Sequence, residues 1–209
     1  MSGSNLIQKH PAIQLTDPEV FIVESLKKKD VAKGRLEGQL ISDMLRIAGK
    51  SPKYYYFESK EELQHLVGLF RASKCRFLHV SVHANSESIE IGEGELKYDE
   101  FAEMFRDHLK LRRLFVSACE VGNSKFVDAV ASRNKGMHSI VAPVDVVRLD
   151  KSSAFWTSFY ISVFSRKYYN MRHADVRRHL GLLSKLFDVN MYMASYSPKP
   201  DSWVKGRVE

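Results

Sequence analysis

The feature that most limits the fold is a repeated change of period. Short runs rich in Val, Ile, Phe and Tyr alternate with longer segments whose apolar residues recur every three or four positions. Residues 20–26, 53–57, 76–83, 113–119 and 139–147 read as strands, with 191–196 as a last one. Between them, residues 34–48 carry Leu36, Leu40, Ile41, Met44, Leu45 and Ile47 largely on one stripe, and residues 61–72 do the same with Leu63, Leu66, Val67 and Phe70. The remaining helices are expected over 123–132, 152–169 and 175–187, the second of them capped by Ser152 or Ser153. Strands joined through helices run parallel and are buried on both faces, so the pattern predicts an α/β domain: a mostly parallel central sheet with helices on both faces.

One segment breaks the alternation. Residues 88–98 change polarity with period two on either side of Gly92-Glu93-Gly94, which predicts a small hairpin after the third strand. The region is acidic, with Glu87, Glu90, Glu93, Glu95, Asp99, Glu100 and Glu103 against Lys97 alone. The whole chain has a net charge of +7, so its basic excess lies elsewhere. Part of it is in the tail after Tyr160, where Arg166, Lys167, Arg172, Arg177 and Arg178 read as a solvated helix face. A net charge of this size without a clustered basic face is no nucleic-acid signature, and direct nucleic-acid binding is not expected.

The 209 residues suit one domain, and no internal repeat divides them. Residues 1–18 hold two of the six prolines and read as an amino-terminal arm, 19–197 as the domain and 198–209 as a carboxy-terminal tail. No run of 18 apolar residues exists, and the aromatic stretch 154–169 is interrupted by Thr157, Ser158 and Ser162, so no membrane partner is expected. Cys75 and Cys119 lie in no CxxC pair, and no HExxH run is present. Neither a metal site nor a disulfide framework is expected, and reduced thiols suit a cytoplasmic protein. No Gly-rich phosphate loop follows a strand, and no cofactor is implied.

In an open parallel sheet, reactive groups gather beyond the carboxyl ends of the strands. The third strand ends in His83, followed by Ala84-Asn85-Ser86, and the fourth in Cys119, followed by Glu120-Val121-Gly122-Asn123. Neighbouring strands would bring imidazole and thiol to one sheet edge. A thiol is mostly protonated at neutral pH, and an adjacent imidazole can remove that proton and return it to a leaving amine. Taken singly, a Cys or a His at a strand end is more often a packing residue.

The run Phe77-Leu78-His79-Val80-Ser81-Val82-His83-Ala84-Asn85, the acidic hairpin, and Leu114-Phe115-Val116-Ser117-Ala118-Cys119-Glu120-Val121-Gly122 together resemble the core of caspase-like cysteine peptidases, most closely the CHAT branch. The order of His, hairpin, helix and Cys agrees, and Asp128 to Gly136, Ser139 to Asp145 and Ala154 to Tyr160 look like that branch's continuation. The resemblance implies a caspase-like three-layer sandwich and peptide-bond hydrolysis by a Cys/His dyad. Cys119 would be the nucleophile, His83 the general acid and base, and the backbone N–H groups of Ala84 and Cys119 the oxyanion donors. Many members have Gly after the His, where this chain has Ala84.

Ser117 and Asp145 become candidates for the substrate pocket, although a short neutral Ser selects no charge. His79, inside its strand, reads as a core residue. The short span between Cys119 and Ser139 leaves little room for a cleavable linker, which suggests a single-chain enzyme controlled by a separate regulatory or sensor partner, acting on a protein substrate. A microbial stress or antiviral defence system is the setting that the resemblance suggests. A catalytically inactive relative that uses the fold only for binding is the alternative.

Overall fold

The computed structural model describes residues 16–92, 94–164, 172–199 and 201–208. Most of the arm at 1–18, Glu93 at the hairpin tip, and the end of the aromatic helix with Arg166 and Lys167 lie outside the described residues.

The alternating pattern produces β1 (Asp17–Ser25), α1 (Lys28–Val31), α2 (Glu37–Ile47), β2 (Lys53–Tyr56), α3 (Lys60–Ala72) and β3 (Cys75–Val82). The hairpin β4 (Ser88–Ile91) and β5 (Gly94–Lys97) follows, then α4 (Tyr98–Met104), β6 (Arg113–Ser117), α5 (Ser124–Arg133) and β7 (Ser139–Pro143). The chain continues through α6 (Leu149–Phe164), α7 (His173–Phe187), β8 (Met191–Ser197) and β9 (Ser202–Arg207). Seven strands form one sheet in the order β2-β1-β3-β6-β7-β8-β9, and β4 and β5 form a separate two-stranded hairpin. From β2 to β7 the pairing is parallel, while β8 and β9 close the sheet antiparallel.

Side chains alternate across the strands, so each strand feeds two cores. Phe21, Val23, Leu78, Val80, Leu114 and Val116 pack on one face against α3, α4 and α5. Val20, Ile22, Phe77 and Phe115 pack on the other against α2, α6 and α7, where Phe155, Trp156, Phe159 and Tyr160 form an aromatic layer. The three-layer sandwich is therefore present. Local signals fix the helix starts: the Ser59 side chain caps α3 by accepting the Glu62 N–H, and Asn123 caps α5 by accepting the Phe126 N–H.

Several boundaries differ from the sequence reading. Helix α6 begins at Leu149, a turn earlier than Ser152, because Asp150 sits in its first turn and takes the Lys151 N–H at 2.9 Å. Ser152 is consequently not a cap but an inward-facing residue. β7 ends at Pro143, and 144–148 form a loop instead of continuing the strand. The segment 198–209 supplies β9, whose register from Ser197↔Ser202 to Tyr192↔Arg207 makes it the outer strand of a hairpin with β8. Its Ser-Trp-Val-Lys-Gly-Arg sequence has too little apolar content to announce a strand without that partner.

Candidate active site

The site is set by the register of two neighbouring strands. β3 and β6 pair in parallel with Ser81 opposite Ser117. His83 and Cys119 each lie two residues further on, so they leave the sheet at the same level. Both line one narrow cleft, with Ser81, Ser117, Glu37 and Ser152 among its other walls. Ser81 and Ser117 point away from the Leu78, Val80, Leu114 and Val116 core, toward α2 and α6. The cleft is therefore roofed by the first turns of those two helices.

His83 is held on three sides. Its Nε2 lies 3.0 Å from Asp30 Oδ2, in the short helix α1. Its carbonyl accepts the Glu90 N–H at 2.8 Å, tying it to the acidic hairpin. Asn85 donates its N–H to Ser88 O at 3.0 Å, which completes an antiparallel bridge between Ala84 and Ile89 of the kind that leaves Ala84's own N–H outside the ladder. That N–H is thus not taken up by the hairpin. Asp30 is buried, and burial alone would raise its carboxyl. The hydrogen bond and charge of His83, with Lys29 and Arg35, outweigh that effect and hold it below the ordinary carboxylate range.

Cys119 is carried not by the strand but by the turn after it. Glu120 adopts a left-handed φ of 60°, and its N–H donates to Asp145 O at 3.3 Å. Gly122 donates to Pro143 O at 2.6 Å, and a Cβ there would lie 2.6 Å from that same oxygen and 2.7 Å from Ala142 O. Only glycine lets the turn close so tightly on β7. The thiol itself is engaged: Sγ accepts the Val147 N–H at 3.4 Å and donates to Val147 O at 3.6 Å.

No family model matches the chain, and no curated protein does. Among solved structures, caspase-1 from Spodoptera frugiperda is similar with a TM-score of 0.53, covering 90% of this chain and 82% of that one at 14% identity. A secreted C11 cysteine protease from Bacteroides thetaiotaomicron is similar with the same TM-score of 0.53, covering 87% and 67% at 9% identity. The fold is caspase-like. At these identities the likeness concerns the fold alone, and the chemistry must be argued from the side chains.

Within this caspase-like frame the sequence-derived residues separate into those at the cleft and those beside it. His83, Cys119 and Ser117 line the cleft, and Ala84 sits directly after His83. Asp145 does not line it. Its carboxylate accepts from Asn190 Nδ2 at 2.7 Å, and its backbone carbonyl holds Glu120, so it supports the cysteine turn and not the pocket. His79 is fully buried, with Nδ1 3.0 Å from the Tyr160 hydroxyl, and burial pushes it down to about 3. Cys75 is a buried thiol that burial pushes up.

Three acidic groups escaped the sequence reading. Asp30 comes from the polar run Lys27-Lys28-Lys29-Asp30, and Glu37 from the start of α2. Glu24, in β1, is fully buried, and burial raises its carboxyl despite the donors around it. An acid inside an otherwise apolar strand was the one available signal, since a buried carboxylate needs partners. Among the described residues no cluster of His, Cys, Asp and Glu could hold a metal ion, and no helix is long and apolar enough to cross a membrane.

Proposed function

We propose that this chain is a cysteine endopeptidase that hydrolyses peptide bonds in a protein substrate through Cys119 and His83. The observation that supports it is the meeting of imidazole and thiol on one cleft, at the same level of adjacent parallel strands. With Nε2 turned to Asp30, Nδ1 is the nitrogen left to face the sulfur. The imidazole takes the thiol proton as Sγ attacks the acyl carbon, and the backbone N–H groups of Ala84 and Cys119 receive the developing oxyanion. Collapse of the tetrahedral adduct expels the amine with the proton from His83 and leaves a thioester. Water, giving its proton to His83, then hydrolyses the thioester and restores the thiol. Asp30 acts as a positioning residue that fixes the imidazole's orientation.

The reading includes control by a separate regulatory or sensor protein. Its support is the contact between Cys119 and Val147, which engages the sulfur with the backbone of the 144–148 loop in this structure. A partner that draws this loop aside would switch the enzyme on. The cytoplasm, with its reducing environment, suits the free thiols of Cys75 and Cys119. A microbial stress or defence role rests on the resemblance to the CHAT branch.

Two measurements test the proposal. Alkylation of Cys119 should be rapid and pH-dependent, and it should slow in His83→Ala. A peptide-library digest should yield products with the wild type, alone or with a candidate partner, and none with Cys119→Ala. Slow alkylation indifferent to His83, with no product under any condition, would favour a binding module on the same fold.

A further inference from the structure

The cleft beneath Cys119 contains a charged group that the hydrolytic steps leave unused. Glu37, the first residue of α2, is 2% exposed, whereas His83 and Cys119 are partly exposed and mark the mouth. Ser81 donates to Glu37 Oε2 at 2.8 Å. Oε1 is buried and has no hydrogen-bond partner among the described residues. The two nearby hydroxyls, of Ser117 and Ser152, are 2.8 Å apart and bond to each other.

Glu24 provides the contrast. Its oxygens receive the Gly38 N–H at 2.7 Å, the Gln39 N–H at 3.3 Å and the Tyr54 hydroxyl at 2.7 Å. It is a satisfied structural carboxyl. Glu37 has acceptor capacity to spare, and the groups that act on its ionisation are three serines and Glu24, with no cation among them. A buried carboxyl in that position either holds its proton or awaits a positive charge.

The walls between mouth and floor suit a particular occupant. Leu26, Val82 and Leu149 are apolar and line the passage. A long aliphatic stem would pack on them, and a cationic head at its end would reach Glu37 and the serine hydroxyls. We propose that Glu37 sets the specificity of this site, and that the cleft takes an arginine or lysine side chain of the substrate, presenting the peptide bond that follows it to Cys119. Ser117, two residues before the nucleophile, supplies a hydroxyl and no charge; the charge arrives from another element. Acidic side chains are rejected, because the Glu37 carboxyl would face them. This specificity rests on the peptidase reading above.

The test compares peptides that differ only in having Arg, Lys, Gln or Asp before the cleaved bond, using wild type and Glu37→Gln. The substitution keeps the shape of the side chain and removes its charge. The wild type should favour Arg and Lys over Gln by about 100-fold or more in kcat/KM, and in Glu37→Gln the ratio of Arg to Gln cleavage should fall to within about threefold of one. Equal cleavage after Gln or Asp, or an unchanged preference in Glu37→Gln, overturns the proposal and leaves the peptidase reading intact.

A second arm needs no chemistry. Calorimetric binding of the Arg peptide to Cys119→Ala should be lost when Glu37→Gln is added. Glu37-dependent binding without any cleavage by the wild type, alone or with a candidate partner, keeps the subsite and removes the peptidase reading. Absence of both binding and cleavage, alone and with a candidate partner, overturns both.

Discussion

Replacing Glu37 with Gln should stabilise the folded protein in alkaline solution and change little in acid. Burial pushes the Glu37 carboxyl from 4.5 up to about 7, against the lowering by Ser117, Ser152 and Ser81, with Glu24 adding to the rise. Between those values the unfolded chain has released a proton that the folded chain keeps. Stability therefore falls as pH rises through that window, and the loss is complete above about 7. At about 1.36 kcal/mol per pH unit, the whole window is worth about 3 kcal/mol. Gln has no proton to lose and escapes the penalty.

With a urea slope of about 2–3 kcal/mol per molar, the midpoint of Glu37→Gln should exceed that of wild type by about 1 M at pH 8.5. At pH 4.5 the two should agree to within the roughly 1 kcal/mol that rearranged hydrogen bonds contribute. Urea titrations at both pH values, followed by the fluorescence of buried Trp156, give the comparison directly. Other titrating groups act alike in the two proteins and cancel. An identical midpoint gap at both pH values would refute the reasoning, because the carboxyl would then not change its charge state differently in the two forms.

Three further outcomes are expected. His79→Leu should flatten acid unfolding, measured by circular dichroism from pH 7 to 3. The depressed histidine contributes stability that is present above 6.5 and lost as pH falls toward about 3, while losing its contact with Tyr160 should cost about 1 kcal/mol at neutral pH. Asp30→Asn should slow Cys119 alkylation about tenfold or more and shift its pH profile, with the thermal midpoint tracked separately; an unchanged profile removes Asp30 as a positioning group. Gly122→Ala should cost about 1–3 kcal/mol in chemical denaturation and lower Cys119 reactivity with it, because the added methyl meets Pro143 O at 2.6 Å; full stability with unaltered alkylation would show that the turn does not need the glycine.

The strands and long helices were legible because burial on a sheet face or helix stripe writes a period into the sequence. Val20 to Val23 divide between two cores residue by residue, as an interior strand requires. His83 and Cys119 were legible as strand-end residues, although Cys119 stands in a turn two residues beyond the end of β6. What stayed hidden depends on packing between distant segments. Asp30 and Glu37 stand in a charged stretch that reads as solvated, and they are buried only because Asp30 meets His83 and α2 packs on β1, β3 and α6. Ser152 resembled a helix cap until the added turn of α6 carried it inward, opposite Ser117. Asp145 follows a strand, where a pocket residue is expected, yet Asn190 holds it outside the cleft. β9 needs β8 as its template, so its own six residues say little.

The pairing of Ser81 with Ser117 also governs which length changes the lineage of this chain can survive. Deleting one residue from either strand would turn its terminal reactive group toward the opposite helical layer and send an aliphatic neighbour to the mouth. Descendants should therefore keep the count of residues in the two central strands.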